Sequence, residues 1–294
     1  MLRFGIDLGG TKIEGAIVDP AGAVQFRERI PTEAAAGYTH VIERIATLYT
    51  SMVAAAGGGA HTLGIGTPGS ISPTTGLLRN SNTVLLNGRP LAADLERRLG
   101  REFAIDNDAN CFALAEARFG AGRGQRVVFG VIIGTGCGGG IVIDGQVHAG
   151  RQGIAGEWGH MSVDPAGPAC YCGRRGCIET LISGSGLERR YRELNGGSLA
   201  APAIIAAWRA RERRATWVME EYIAWFGRSL ANLVDVLDPD VVVLGGGLSN
   251  VAELYTLGVE SLRHAVFADH CTTRIEPHQL GDSAGVIGAA LIGR

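Results

Sequence analysis

Residues 3–19, RFGIDLGGTKIEGAIVD, and residues 127–147, VVFGVIIGTGCGGGIVIDGQV, follow one plan. Each opens as an apolar strand, breaks at a Gly- and Thr-containing turn and resumes as a second strand. The echo reads as the internal duplication of an α/β unit. In the first copy the strand Arg3–Asp7 enters the turn. IEGAIVD and AVQFRERI then follow as two more strands, with Pro20-Ala21-Gly22 between them, so the chain begins as three antiparallel strands.

The flanking segments fit this plan. Residues 38–56 carry apolar side chains at helical spacing and stop at Gly57-Gly58-Gly59. TLGIGTPG (62–69) reads as a buried strand running into a Gly/Pro loop. Residues 91–100 form an amphipathic helix closed by Gly100. EFAIDNDAN (102–110) is a strand whose end carries Asp106, Asn107 and Asp108, and a helix follows over 111–120. Residues 216–237 predict a long helix. DVVVLGGGLSN (240–250) predicts a strand, a glycine loop and a helix start. SAGVIGAALIG (283–293) closes the chain as a helix. Strands alternating with helices indicate an α/β fold with covered sheets. The expected domains are 1–120 together with the last helix (283–294), and a larger one over 121–282. Connectors are expected at 121–125 and just before the last helix.

Net charge is −2 and charged residues make up 19% of 294, so nothing steers the chain to nucleic acid or an anionic membrane. Arg-rich runs such as ERRYRE and WRARERR read as solvated helix faces. The N-terminus shows no signal-peptide pattern, and no apolar run approaches the roughly 18 residues of a membrane span. A cytoplasmic location is expected, where disulfides are rare. Of the 27 basic residues only one is lysine, Lys12, and it lies in a glycine turn.

Three glycine loops end strands: DLGGTK (7–12), GTGCGGG (134–140) and LGGGLS (244–249). Glycine lets backbone amides approach an anion, and a nest of such amides binds phosphate oxygens. None matches the Walker pattern or G-x-G-x-x-G in one βαβ unit. Taken singly, each is an ordinary tight turn. As a set, two duplicated turns would clasp β- and γ-phosphates, and the third would hold the adenosine end, as in the actin/hexokinase-like ATPase fold.

Asp108 ends a strand and opens a helix, where ligands bind in α/β sheets. Phosphoryl transfer needs positioning, Mg²⁺ and a carboxylate that accepts the attacking hydroxyl's proton. Asp108 suits that role, and helix capping is the competing reading. Asp106 and Asn107 compete for the same position. Asp7 is the candidate for holding Mg²⁺ through water.

ACYCGRRGCIE (169–179) packs three of the six cysteines together. With His160 upstream in GEWGHMSVD, the ligand candidates are His160, Cys170, Cys172 and Cys177. One His and three Cys are a common structural zinc set. No C-x-x-C pair supports a redox centre. A zinc here would pin the loops carrying Glu157 and Glu179, two carboxylates suited to sugar hydroxyls, and so order the sugar side more than the ATP side. Surface charges are the bland alternative. Cys111, Cys137 and Cys271 read as small buried hydrophobes.

DLGGTK, IDNDANCFALAE, VIIGTGCGGGI, GEWGHMSVD, CYCGRRGCIE and DVVVLGGGLSN together resemble the repressor–ORF–kinase (ROK) family of sugar kinases and sugar-responsive regulators. The resemblance runs in order from about residue 3 to 290. Within the family, residues 66–91 and 170–184 look most like manno(fructo)kinases, with N-acetylglucosamine kinases next. The resemblance implies a duplicated RNase H-like (actin/hexokinase-like ATPase) fold, two domains around a cleft, and a homodimer. It implies ATP, Mg²⁺, a structural Zn²⁺ and transfer to a hexose, with fructose expected first and mannose second. N-acetylglucosamine kinase and glucokinase are the alternatives. By position, Asp108 matches the base, and Gly69, Asn82, Asn107, Glu157, His160 and Glu179 match sugar-side residues. His160 would serve zinc with one ring nitrogen and a sugar hydroxyl with the other. Cys170, Cys172 and Cys177 match the other zinc ligands. Asp7, Gly9, Gly10, Thr11, Lys12, Gly134, Thr135, Gly136, Gly245, Gly246 and Gly247 fall on the ATP side. Family regulators carry an N-terminal DNA-binding segment. The first glycine turn comes by residue 9, which points away from a non-catalytic sugar-binding regulator.

Overall fold

In the computed structural model, which describes residues 1–195 and 197–294, β1 (Leu2–Leu8) is the middle strand of a five-stranded sheet. β2 (Lys12–Val18) pairs antiparallel with β1, and β3 (Val24–Pro31) antiparallel with β2. On the other side β4 (His61–Thr67) runs parallel to β1. A two-stranded ribbon, β5 (Ser70–Ile71) and β6 (Leu78–Arg79), stands apart. β7 (Ala104–Asn107) closes the edge, parallel to β4. α1 (Tyr38–Ala55) buries Val41, Ile45, Leu48 and Met52, and α2 (Leu91–Leu99) buries Leu91 and Leu95. Both helices pack with Phe4, Ile6, Leu8, Leu63 and Ile65 in one apolar core. Closing these side chains from water supplies the main stabilisation of this unit, about 1.5–3 kcal/mol for each large one.

The second sheet repeats the first. It comprises β8 (Val127–Ile133), β9 (Cys137–Ile143), β10 (Gln146–Val147), β11 (Val241–Gly245) and β12 (Arg274–Pro277). Its order β10-β9-β8-β11-β12 matches the first sheet's β3-β2-β1-β4-β7, with β8, β11 and β12 parallel as β1, β4 and β7 are. The duplication read from the two glycine turns is therefore a duplication of strand order.

Two compact units divide the chain: Met1–Arg123 with Gly140–Ala155 and Gln279–Arg294, and Gly124–Gly139 with Gly156–His278. The sequence had placed all of 121–282 in one domain. Residues 140–155 instead pack on the first unit, for steric and polar reasons. A Cβ at Gly140 would come within 2.6 Å of the Ala109 carbonyl, the Gly145 turn lies against Arg118, and the Arg79 guanidinium donates to the Gln152 carbonyl.

The helices place the functional ends. α3 (Asp108–Phe119) follows β7 without a break. The second unit carries α4 (Ile178–Ile182), α5 (Gly184–Asn195), α6 (Ala201–Arg209), α7 (Arg213–Leu237) and α8 (Leu257–Ala265). α9 (Ala284–Ile292) returns to the first sheet. Gly64 lets α9 lie close, since a Cβ there would come within 1.9 Å of the Ala289 carbonyl. The helix start expected after β11 is only a 3₁₀ turn, Gly247–Asn250. Among the described residues no helix is long and apolar enough to cross a membrane.

Candidate active site

In the first unit, Gly9-Gly10-Thr11 turns β1 into β2. The Gly9 N–H donates to the Lys12 carbonyl at 2.9 Å. Thr32, absent from the sequence reading, braces the turn from behind. Its hydroxyl donates to Gly9 O at 2.7 Å and its N–H to Thr11 O at 3.0 Å. Thr32 is fully buried, a sign of a structural hydroxyl that no motif marks. Lys12 is exposed at the start of β2.

Asp7 stands on β1 just before this turn. Burial, then the charges of Asp108 and Glu14, push its carboxyl up to about 7, against the pull of Lys12 and Arg29. Glu14 is itself buried, and the Arg27 Nε donates to it at 2.5 Å, with Arg29 on its other oxygen. A carboxyl that holds its proton more tightly folded than unfolded loses stability as pH rises from the unfolded pKa to the folded one. The Asp7 cost is therefore complete above pH 7 and shrinks below it. Asp7→Asn is expected to stabilise the protein at pH 8 by on the order of 1–3 kcal/mol, and by half of that or less at pH 5. Denaturant melts at both pH values check this, and an equal gain at both would assign the effect to another cause.

Asp108 is the first residue of α3 and Asn107 is its N-cap. The Asn107 side-chain oxygen accepts the Ala109 N–H at 2.9 Å, and Asp108 Oδ1 accepts the same N–H at 2.8 Å. Asn107 Nδ2 donates to Gly69 O at 3.0 Å. Asn107 thus spends most of its amide on the fold. Asp106, the competing carboxylate, accepts from Asn107 N and Asn110 Nδ2, and burial raises its pKa. Gly69 sits at φ +81°, and a Cβ there would meet the Arg79 carbonyl at 2.3 Å. Asn82 is exposed, next to Thr83, whose hydroxyl lies 3.2 Å from where a Gly10 Cβ would stand. Asn87 shapes this segment by exchanging two hydrogen bonds with the Ser81 backbone, each of 2.9 Å.

In the second unit a cleft of about 550 Å³ brings Gly134, Thr135 and Gly247 together, with Ile205, Leu248 and Asn250 along its wall. Gly245 and Gly246 do not line it. Gly245 ends β11 as a buried residue, and a Cβ at Gly246 would meet Ile133 O at 2.5 Å, so this glycine serves packing. Gly136 lies instead against Glu179. The α5 and α6 wall, with Ser185, Glu188 and Pro202, carried no sequence signal because ordinary helix residues form it.

His160, Cys170, Cys172 and Cys177 offer ligand atoms that all lie within 4.8 Å of one another. His160 Nδ1 faces Cys170 Sγ at 3.5 Å, and Cys172 Sγ faces Cys177 Sγ at 3.6 Å. A disulfide needs about 2.05 Å between sulfurs, whereas thiolates around a tetrahedral Zn²⁺ at about 2.3 Å stand roughly 3.7 Å apart. The donor set and spacing fit zinc. Burial raises the Cys172 thiol, but hydrogen bonds from Arg174 and the neighbouring thiols outweigh it and hold the pKa at about 6, whereas burial raises the thiols of Cys170 and Cys177. All six cysteines are free, with Cys111 and Cys137 buried as expected and Cys271 partly exposed. The other His160 nitrogen, Nε2, is 2.9 Å from the Tyr171 hydroxyl. Tyr171, which sequence reading passed over, therefore holds the ring. Burial, then the charges of Glu179, Cys170 and Glu157, push the Tyr171 hydroxyl up to about 12. Purified protein is expected to carry about one zinc per chain. Elemental analysis finding none, with full activity in chelator, would reject the site.

A ROK family profile matches residues 3–294. The chain belongs to the ROK family. It is 38% identical over 304 residues to an N-acetyl-D-glucosamine kinase of Pasteurella multocida (strain Pm70), covering 99% of each chain. The ROK hexokinase of Thermus thermophilus superposes with a TM-score of 0.90 at 33% identity, over 100% of this chain and 98% of that one. A ROK family glucokinase of Streptomyces griseus, solved with glucose and AMPPNP, gives 0.80 at 31%, over 100% and 99%. The duplicated sheets are the actin/hexokinase-like ATPase fold that the ROK motifs implied.

Proposed function

We propose that this ROK protein transfers the γ-phosphoryl group of ATP to a hydroxyl of N-acetylglucosamine. The observation that carries the sugar is the match, over 99% of both chains, to an N-acetyl-D-glucosamine kinase. None of the three relatives above bears a fructokinase name, so the fructose expected from residues 66–91 and 170–184 gives way to the stated alternative.

The chemistry follows from the two halves described. Asp108 accepts the proton of the attacking hydroxyl. Its placement at a helix start that Asn107 already caps supports this role over capping. The Gly9–Lys12 turn and the cleft at Gly134, Thr135 and Gly247 supply phosphate-facing amides, and Lys12 adds a compact positive charge. Asn82 and Asn107 in the first unit and Glu157 and Glu179 in the second are the sugar-facing residues, with Gly69 shaping the loop that Asn107 holds; His160, with one ring nitrogen facing Cys170 and the other on the Tyr171 hydroxyl, has none left for the sugar hydroxyl expected of it. Asp7 fits Mg²⁺, because a carboxyl paying for its own burial is stabilised by a cation. The ion, when bound, neutralises phosphate charge. His160, Cys170, Cys172 and Cys177 would hold a structural zinc, which would order their loops and take no part in the transfer.

The test is ADP release with Mg-ATP and N-acetylglucosamine, N-acetylmannosamine, D-glucose, D-mannose and D-fructose. A kcat/KM for N-acetylglucosamine at least about tenfold above D-glucose, D-mannose and D-fructose is expected, since a site built for a polar substituent rejects sugars lacking it. Preference for fructose would restore the fructokinase reading, and no turnover with any sugar would overturn the kinase.

A further inference from the structure

The carboxylate that follows the last cysteine does more than face a sugar. Glu179 lies in the first turn of α4, two residues after Cys177. Its Oε2 accepts the Cys137 N–H at 3.1 Å, and a Cβ at Gly136 would come within 2.6 Å of the same oxygen. Cys137 opens β9 as the chain leaves the Gly134–Gly136 turn.

The segment carrying His160 grips the same strand. Trp158 Nε1 donates to Gly138 O at 3.0 Å, and Gly159 lies so close that a Cβ would stand 2.0 Å from Cys137 O. Where α4 gives way to α5, the Gly184 N–H donates to Gly134 O at 2.8 Å. Hydrogen bonds from Trp158, Glu179 and Gly184, in or next to the segments that bear His160 and Cys177, thus reach residues 134–138.

We propose that Glu179 is a positioning residue for the nucleotide, holding the second glycine turn through the Cys137 N–H. The Cys/His cluster then stiffens the ATP side as well as the sugar side, against the expectation that it orders the sugar side more. The inference rests on the kinase reading above. An amide nest binds phosphate well only when its N–H groups already point inward, so a loosened turn lowers affinity without losing a direct contact.

The experiment is calorimetric binding of AMPPNP with no sugar present. Glu179→Ala is expected to raise the AMPPNP Kd about tenfold or more, the scale of one hydrogen bond to a charged acceptor. Glu179→Gln keeps an accepting oxygen and should stay within about twofold of wild type. Hydrogen exchange over residues 134–138 should accelerate in Glu179→Ala and in chelator-stripped wild type, and not in Glu179→Gln. An unchanged AMPPNP Kd in Glu179→Ala overturns the inference, as does an equal loss in the two variants. If Glu179→Ala does not fold, the exchange comparison of stripped and metal-loaded wild type decides, and equal rates overturn the proposal. Wild type that fails to bind AMPPNP would instead sink the kinase reading itself.

Discussion

Asp108→Asn is expected to lower kcat by about 10²–10⁴-fold if Asp108 is the proposed base, while sugar and AMPPNP binding stay within a few-fold of wild type. The substitution isolates chemistry because it leaves the helix start intact. Asn107, not Asp108, provides the N-cap, and an asparagine oxygen at 108 can still accept the Ala109 N–H that Oδ1 accepts at 2.8 Å. Melting temperature should therefore hold. What disappears is a group basic enough to take the hydroxyl proton as the phosphoryl group arrives. A second readout is independent of turnover. Asp108 is one of the charges that raise the Asp7 pKa, so that pKa should fall in the variant. A kcat loss below about tenfold would remove Asp108 from the general-base role.

Glu116→Ala costs on the order of 3 kcal/mol or more of stability, because hydrogen bonds to a charged acceptor contribute about 1.5–3 kcal/mol each. Glu116 is fully buried near the end of α3. Its Oε1 accepts the N–H groups of Gln279 at 3.0 Å and Leu280 at 2.9 Å, and its Oε2 accepts that of Ala121 at 2.9 Å. These residues lie where the chain leaves the first unit, after Arg123, and where it returns, at Gln279. One carboxylate ties both connectors to the helix that Asp108 begins. Gly120 makes room for it, since a Cβ there would come within 2.0 Å of Oε2. Glu116→Gln should cost less, because one oxygen still accepts. Urea unfolding of both variants checks this, and a loss below about 1 kcal/mol in Glu116→Ala would show the bonds to be replaceable by water.

The sequence showed much of this site because its chemistry is local. A glycine turn between two strands, a carboxylate at a strand end and cysteines within eight residues each need only neighbours in the chain. For the same reason the Asp108 ambiguity was visible but not soluble: capping and catalysis ask for the same residue type at the same place. In the structure the Ala109 N–H is shared between Asn107 and Asp108. The LGGG loop misled in the other direction. Glycines needed for packing and for phosphate look alike in sequence, and of Gly245, Gly246 and Gly247 only the last reaches the cleft.

The sequence alone therefore determined the α/β class, the duplication, the four-ligand cluster and the ROK motifs, since each is written in period, spacing or residue type. Tertiary structure decided that residues 140–155 join the first unit, that Glu116 clasps the connectors 121 and 279–280, that Tyr171 holds His160, and that Glu179 braces the turn at Cys137. All but the Tyr171 and Glu116–Ala121 contacts join groups tens of residues apart or more. Backbone N–H and C=O groups, identical in every residue, supply most of the partners, so nothing in the side-chain pattern announces them.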